Sequence, residues 1–247
     1  MRLRSKRIAL ALGVAGVIAV GGQAAAWGQS NPAPVKRHYH PHINPADFGR
    51  KIDNRYLPFK PGTRTIAKGV AENGKTPQRD AQVVTDRKRK VNGVKCVVVR
   101  DTISSRGKPV ERTFDWYTQD KHGNVWYFGE NSKDYRHGHW VKSDGSWEGG
   151  VNGAQPGVMM MAHPKQGDAY RQEYYRGHAE DQAKVLGDTG QVKVPAGTYG
   201  HTIGTREISR LEPGVVEKKW YAPGIGEIKS QDVKGSKEGF RLVKVTH

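Results

Sequence analysis

From Thr63 onward the chain is interrupted by strong turn chemistry at short intervals, and this spacing leaves room for little except short β-strands. Asn92-Gly93 separates residues 82–91 from residues 94–102. It is the strongest local hairpin signal, because both turn residues must adopt positive φ. Further turns fall at residues 105–108, 120–123, 143–145, 187–190, 212–214 and 223–226, each carrying Gly, Pro, Asp or Asn. The segments between them, residues 110–118, 124–130, 169–175, 179–186, 198–207, 215–221, 227–233 and 240–245, read as β-type. Several alternate as half-buried strands do. Phe114 and Trp116 share one face, and Trp126 and Phe128 share one face. No long helical period and no strand-helix-strand rhythm follows Thr63, which argues against a parallel sheet. The expected fold is therefore mainly β, a curved antiparallel sheet, with residues 149–165, Gly-rich and then Met-rich, as a long loop covering one mouth of the sheet.

Ahead of this region the text is different. Arg2, Arg4, Lys6 and Arg7 form a basic start, residues 8–20 an apolar run, and Ala24-Ala25-Ala26 a small-residue cleavage site, so residues 1–26 read as a secretory signal peptide. The apolar run is shorter than the ~18–20 residues of a membrane-spanning helix, and no stable membrane insertion is expected after cleavage. The expected location is secreted, outside the cell or in its envelope. Residues 27–43, rich in Pro, Asn, Gln and His, read as a flexible arm, and residues 44–247 as a single β domain. Asn44-Pro45-Ala46-Asp47 has the order that starts a helix, with Phe48 and Ile52 on one apolar side, and Leu57-Pro58 keeps it short.

The formal charge is +17, of which the signal region carries four positive charges, leaving +13. Outside the cell such a chain meets lipid head groups and anionic envelope polymers, and nucleic acid is not an expected partner. The same charge, scattered along strands, also serves solubility alone. Cys96, the single cysteine, lies in an apolar strand and reads as a small core residue; one cysteine permits no intrachain disulfide. Oligomeric state is left open.

The strings Thr113-Phe-Asp-Trp-Tyr-Thr-Gln-Asp120, Gly123-Asn-Val-Trp-Tyr-Phe-Gly-Glu130 and Gly145-Ser-Trp-Glu148 resemble a family of uncharacterised secreted bacterial proteins, and Gly153-Ala-Gln-Pro-Gly157, Tyr170-Arg-Gln-Glu-Tyr-Tyr175 and Leu211-Glu-Pro-Gly-Val-Val-Glu217 continue the resemblance. The ending Lys219-Trp-Tyr-Ala-Pro-Gly-Ile-Gly226, after Val194-Pro-Ala-Gly-Thr198, is similar to lipoprotein-carrier-like proteins. That second resemblance implies an open half-barrel with a concave apolar face for an acyl chain or another elongated ligand.

Three kinds of chemistry remain. Trp116, Trp126, Phe128, Trp147, Tyr174 and Tyr175 are candidate ligand-binding residues, a stacking platform or trough, although such aromatics are more often core. His38, His40 and His42 alternate on an extended segment and are candidate metal ligands, against the simpler reading of a polar tail. Glu148, Asp168, Glu173, Glu180, Asp181, Glu212 and Glu217 are candidate acids and bases for a glycan-acting enzyme, with surface ion pairs as the commoner role. No hydrolase elbow, zinc-protease, phosphate-loop or Cys-x-x-Cys motif is present, no cofactor is implied, and the reading leans away from an enzyme. The leading expectation is a non-enzymatic binding or carrier module for an amphipathic or anionic envelope ligand. A wall-glycan enzyme and a metal-binding envelope protein are the alternatives.

Overall fold

The computed structural model describes residues 39–49 and 51–247. The proposed signal peptide, most of the arm and His38 lie outside the described residues. Asn44 caps a single 3-10 turn, Pro45–Asp47, accepting a hydrogen bond from the Ala46 backbone N–H. The turn ends at Phe48, so Phe48 and Ile52 do not share a helical face as expected. Phe48 packs with the Phe128 cluster, and Ile52 enters a different cluster with Leu57 and Phe59.

Seventeen strands follow. The first five are β1 (Arg64–Val70), β2 (Pro77–Val91), β3 (Val94–Ser105), β4 (Lys108–Gln119) and β5 (Val125–Arg136). Next come the short β6 (His139–Lys142), β7 (Trp147–Glu148), β8 (Gln155–Met160), β9 (Ala169–Arg171) and β10 (Glu173–Tyr174). The remainder are β11 (Asp181–Asp188), β12 (Val192–Val194), β13 (Gly197–Tyr199), β14 (Ile203–Ser209), β15 (Val216–Ala222), β16 (Gly226–Lys234) and β17 (Gly239–Thr246). Strands β12 and β13 form a separate hairpin. The other fifteen make one antiparallel sheet in the order β10-β8-β5-β4-β3-β2-β1-β17-β16-β15-β14-β11-β9, with β6 and β7 also on β5. At Asn92-Gly93 both φ angles are positive, 46° and 78°, as the hairpin reading required.

The two ends of this order are neighbours in sequence. Strand β9 pairs with β11, and after Gln172 the chain continues as β10, which pairs with β8. One stretch of chain thus spans the seam, and the sheet is nearly a closed barrel rather than the open half-barrel that the carrier resemblance implied. Closure needs an unusually close approach. A Cβ at Gly157 of β8 would stand 2.3 Å from the Gln172 carbonyl carbon and 2.6 Å from the Arg171 oxygen. Only glycine fits there.

The long loop expected over residues 149–165 is corrected by β8 itself. Val125 and Tyr127 of β5 pair with Met160 and Gly157, and Met159 and Met160 are buried. Its sequence lacks alternation because it is packed on both sides, and that made it read as irregular chain.

Side chains facing into the barrel from β3, β4 and β5 include Val97, Val99, Tyr117, Val125 and Tyr127, joined by Trp147, Met159 and Tyr221. Residues 52–59 plug this end, with Ile52, Leu57 and Phe59 in the same cluster. The Gln119 side-chain oxygen accepts hydrogen bonds from the Asp53 and Asn54 backbones, and Asn54 donates to the Gly123 and Met161 carbonyls, so the plug is fastened by polar contacts as well. Outside the wall, Val91, Val94, Cys96, Val98, Trp116 and Phe128 form a second cluster covered by Ile43 and Phe48. Cys96 is fully buried there, and burial pushes its thiol up to about 12, so it is an inert core residue. No helix among the described residues is long and apolar enough to cross a membrane.

Candidate functional site

The aromatic candidates divide among different places. Trp116 and Phe128 are buried on the outer side under Phe48, whose ring meets Trp126 and Phe128 edge-on at 5.7 and 5.4 Å. Trp147 is buried inside, edge-on to Tyr127 at 5.3 Å, and its indole N–H donates to Glu173 at 2.9 Å. Tyr174 is half-buried against Tyr39, with the Arg171 guanidinium over its ring at 4.7 Å, and Tyr175 stacks on His178. These residues do not form one platform. Tyr39, in the stretch read as an arm, meets the Tyr174 ring edge-on at 6.1 Å. His40 and His42 are exposed, and among the described residues no three His, Cys, Asp or Glu side chains are arranged to hold a metal ion.

The carboxylate candidates scatter as well. Glu148 pairs with Arg89 at 2.7 Å on the surface, Asp168 accepts from the Lys165 backbone, and Glu180 accepts from Gly177. Glu173 and Glu217 point instead to the barrel interior, which is far more acidic than the sequence reading foresaw.

Two groups show how that interior is built. Lys219 on β15 is buried, with its ammonium 2.8 Å from Glu207 and 3.5 Å from Glu217; these carboxylates hold it above its ordinary pKa, outweighing burial. Thr205 donates to the same Glu207 carboxylate at 2.8 Å. On the opposite wall, Tyr127 and Glu130 would face opposite sides of a regular strand. The β4–β5 register, however, shifts between Asp115 and Tyr117, so that both point inward. The Tyr127 hydroxyl lies 2.9 Å from Asp115 and 2.9 Å from Glu130. A hydroxyl has one hydrogen. Both contacts are hydrogen bonds only if one carboxyl is protonated and donates to the phenol oxygen. Burial first, and then the charges of Asp115 and Glu173, raise Glu130 well above the usual carboxylate range, which favours its protonated form. Glu173 is raised in the same direction, by burial and by Asp181.

A carboxyl that stays protonated in the fold and ionises when unfolded contributes stability below its unfolded value of about 4.3, and this contribution is lost as pH rises through its folded value. Each retained proton gives a slope of about 1.4 kcal/mol per pH unit between those limits. Thermal unfolding should therefore move to lower temperature as pH rises above about 5, and Glu130→Gln, which keeps the neutral shape, should flatten that decline. An unchanged slope in the variant would show that Glu130 ionises in the fold.

The outer wall has the opposite character, and here register creates what scattered positions conceal. Lys229 on β16 faces Arg241 on β17, Arg241 faces Lys68 on β1, and Lys68 faces Arg79 on β2. Arg79 faces Ser104 on β3. Two residues along the same face of β3, Thr102 faces Arg112 on β4, Arg112 faces Lys133 on β5, and Lys133 faces Lys142 on β6. Seven cations thus occupy seven of eight adjacent strands, in a band about 33 Å long at the usual strand spacing. No acidic residue falls within this register. Six of the seven cations are exposed and Lys229 is half-exposed. Lys229 lies over Trp220 at 4.2 Å and Arg112 over Trp140 at 4.5 Å. Arg100, Arg112, Lys133, Phe114 and Trp140 line a cleft of about 510 Å³ on this wall.

Like charges directly opposite each other destabilise a sheet, by roughly 0.2–1 kcal/mol per pair. The band contains five such pairs. Lys229 shows the strain: burial, and then Arg241, lower its pKa. Dispersed along the sequence, these bases read equally as solubilising charge; only strand pairing aligns them.

No protein-family model matches the chain, and no curated protein matches it. Two solved structures share a likeness. One, from Bacteroides fragilis NCTC 9343, is described as an exported protein with a YmcC-like fold; it is 14% identical, with a TM-score of 0.46, over 78% of this chain and all of that one. The other, from Parabacteroides distasonis ATCC 8503, is described as a lipoprotein; it is 12% identical, with a TM-score of 0.43, over the same shares. Neither assigns an activity to this chain.

Proposed function

We propose that the protein is an exported, non-enzymatic binding module of the cell envelope whose basic band holds an extended polyanion, a polymer bearing phosphate or carboxylate groups. The supporting observation is the eight-strand register of seven cations, in which like charges face one another five times without an acid between them. A row of this length suits a polymer rather than a small anion. The aromatic rings beneath Arg112 and Lys229 hold those two cations against the wall. Acyl carriage has less support, because the interior cavity, about 80 Å³, has room for two or three waters at about 30 Å³ each.

The test is binding of a fluorescent phosphodiester polymer to the mature protein. Affinity should fall as salt screens the charges. Lys68→Glu combined with Arg241→Glu should weaken binding at least tenfold, as should Arg112→Glu combined with Lys133→Glu, whereas Lys193→Glu, on the exposed β12 hairpin, should not. Each double reversal keeps one like pair, now Glu facing Glu, but turns the like pairs that flank it into opposite ones, so the melting temperature should hold or rise. Loss of binding to polymer with retention on anionic vesicles would move the assignment to a lipid surface, and binding unaffected by either reversal would remove the band from the account.

A further inference from the structure

The interior cavity offers a second site, independent of the outer band and of opposite charge. Its wall carries five carboxyl groups, those of Asp101, Glu111, Asp115, Glu130 and Glu227, against the single ammonium of Lys219. Phe59, Tyr117 and Tyr221 supply aromatic surface to the same wall. Glu130 is 4% exposed; one of its oxygens meets the Tyr127 hydroxyl, and the other, Oε1, is buried without a hydrogen-bond partner. A buried acceptor left unmade costs about 1–3 kcal/mol, so Glu130 Oε1 needs a donor from the cavity side, a water or the N–H of a ligand.

We propose that this cavity binds a small organic cation, a primary ammonium group, which donates to Glu130 Oε1 and rests against the aromatic wall. A metal ion fits less well, since no three acidic or imidazole groups among the described residues converge for one. An ammonium group needs fewer: one or two carboxylates, as the barrel already provides for Lys219, and an aromatic face. The volume of about 80 Å³ admits the ammonium head and a short alkyl stem. The apolar part of the lining, Leu57, Pro58, Met159, Ile225 and Leu242, suits such a stem.

Binding is linked to proton release. The Glu130 carboxyl gives up its proton to solvent as the ammonium arrives, because a carboxylate beside a cation is the favoured form. The charged or titratable groups that face it are Asp115, Glu111 and Tyr117 from β4 and Tyr127 from its own strand. Glu173 approaches from β10, Asp101 from β3 and Lys219 from β15. Most are acids or neutral phenols, so the site tightens as pH rises.

The experiment is calorimetric titration of the mature protein with ethylammonium chloride, ethanol and calcium chloride at matched ionic strength. The expected result is binding of ethylammonium alone, in the millimolar range, with heats that differ between buffers of different ionisation enthalpy by the amount of a released proton. Glu130→Gln should weaken it at least tenfold and abolish the proton release. No ethylammonium binding, equal binding of ethanol, preferential binding of calcium, or heats independent of buffer would each overturn the proposal. The buffer comparison needs only the wild-type protein and decides the matter even if the variant is unstable.

Discussion

Lys219→Met is expected to lower the stability of the barrel by about 3–5 kcal/mol at pH 8, the range for removing one partner of a buried ion pair. Lys219 and Glu207 are both close to fully buried and their charged atoms lie 2.8 Å apart. Without the ammonium, Glu207 becomes an uncompensated charge near Glu217, whose carboxyl burial already raises well above the usual carboxylate range. The loss should depend on pH in a definite sense. In the variant the folded-state carboxylate pKa rises above its unfolded value of about 4.3, so the destabilisation is small near that pH and grows as pH increases. Urea unfolding at both ends of this range measures it. Adding Glu207→Gln should recover most of the loss, since removing both charges of a buried pair is often close to neutral. A single variant as stable as wild type at pH 8 would mean that the pair is not buried as described.

Gly157→Ala is the second large effect. The added carbon would stand within 2.3–2.6 Å of three backbone atoms of Arg171 and Gln172, and backbone in a strand yields less readily than the end of a side chain. Either β8 leaves β5 or the β9–β10 stretch leaves the seam. The expected cost is about 3 kcal/mol, the upper part of the usual range for overpacking, and amide exchange should quicken first in β8, β9 and β10. Gly200→Ala is the control, because nothing lies within 4 Å of its added carbon and its backbone is unstrained; it should change stability by less than about 1 kcal/mol. Equal behaviour of the two variants would remove Gly157 from barrel closure.

Much of the fold is written in local chemistry. The Asn92-Gly93 hairpin, the Asn44 cap and the shared faces of Phe114 with Trp116 and of Trp126 with Phe128 follow from residue type and spacing. Which face lies inside is not local. The aromatics Trp116 and Phe128 lie outside under Phe48, while the interleaved Thr113, Asp115 and Tyr117 look inward, so polar positions that read as solvent-facing line the cavity. The pattern carried one usable clue, acids alternating with large aromatics on strands whose aromatic face needed a cover. Glu130 depends on a register shift, which sequence spacing alone misassigns by one face. The band was hidden more deeply. Its cations come from positions between 68 and 241, and only strand pairing sets Lys68 beside Arg241.

Polyanion binding along the basic band is tested most directly by amide chemical-shift mapping of the mature protein titrated with a polyphosphate of defined length. Perturbations should run across β16, β17, β1, β2, β3, β4, β5 and β6, at Lys229, Arg241, Lys68, Arg79, Arg112, Lys133 and Lys142 and their neighbours. Perturbations confined to the exposed Arg87-Lys88-Arg89-Lys90 run, or absent altogether, would contradict it.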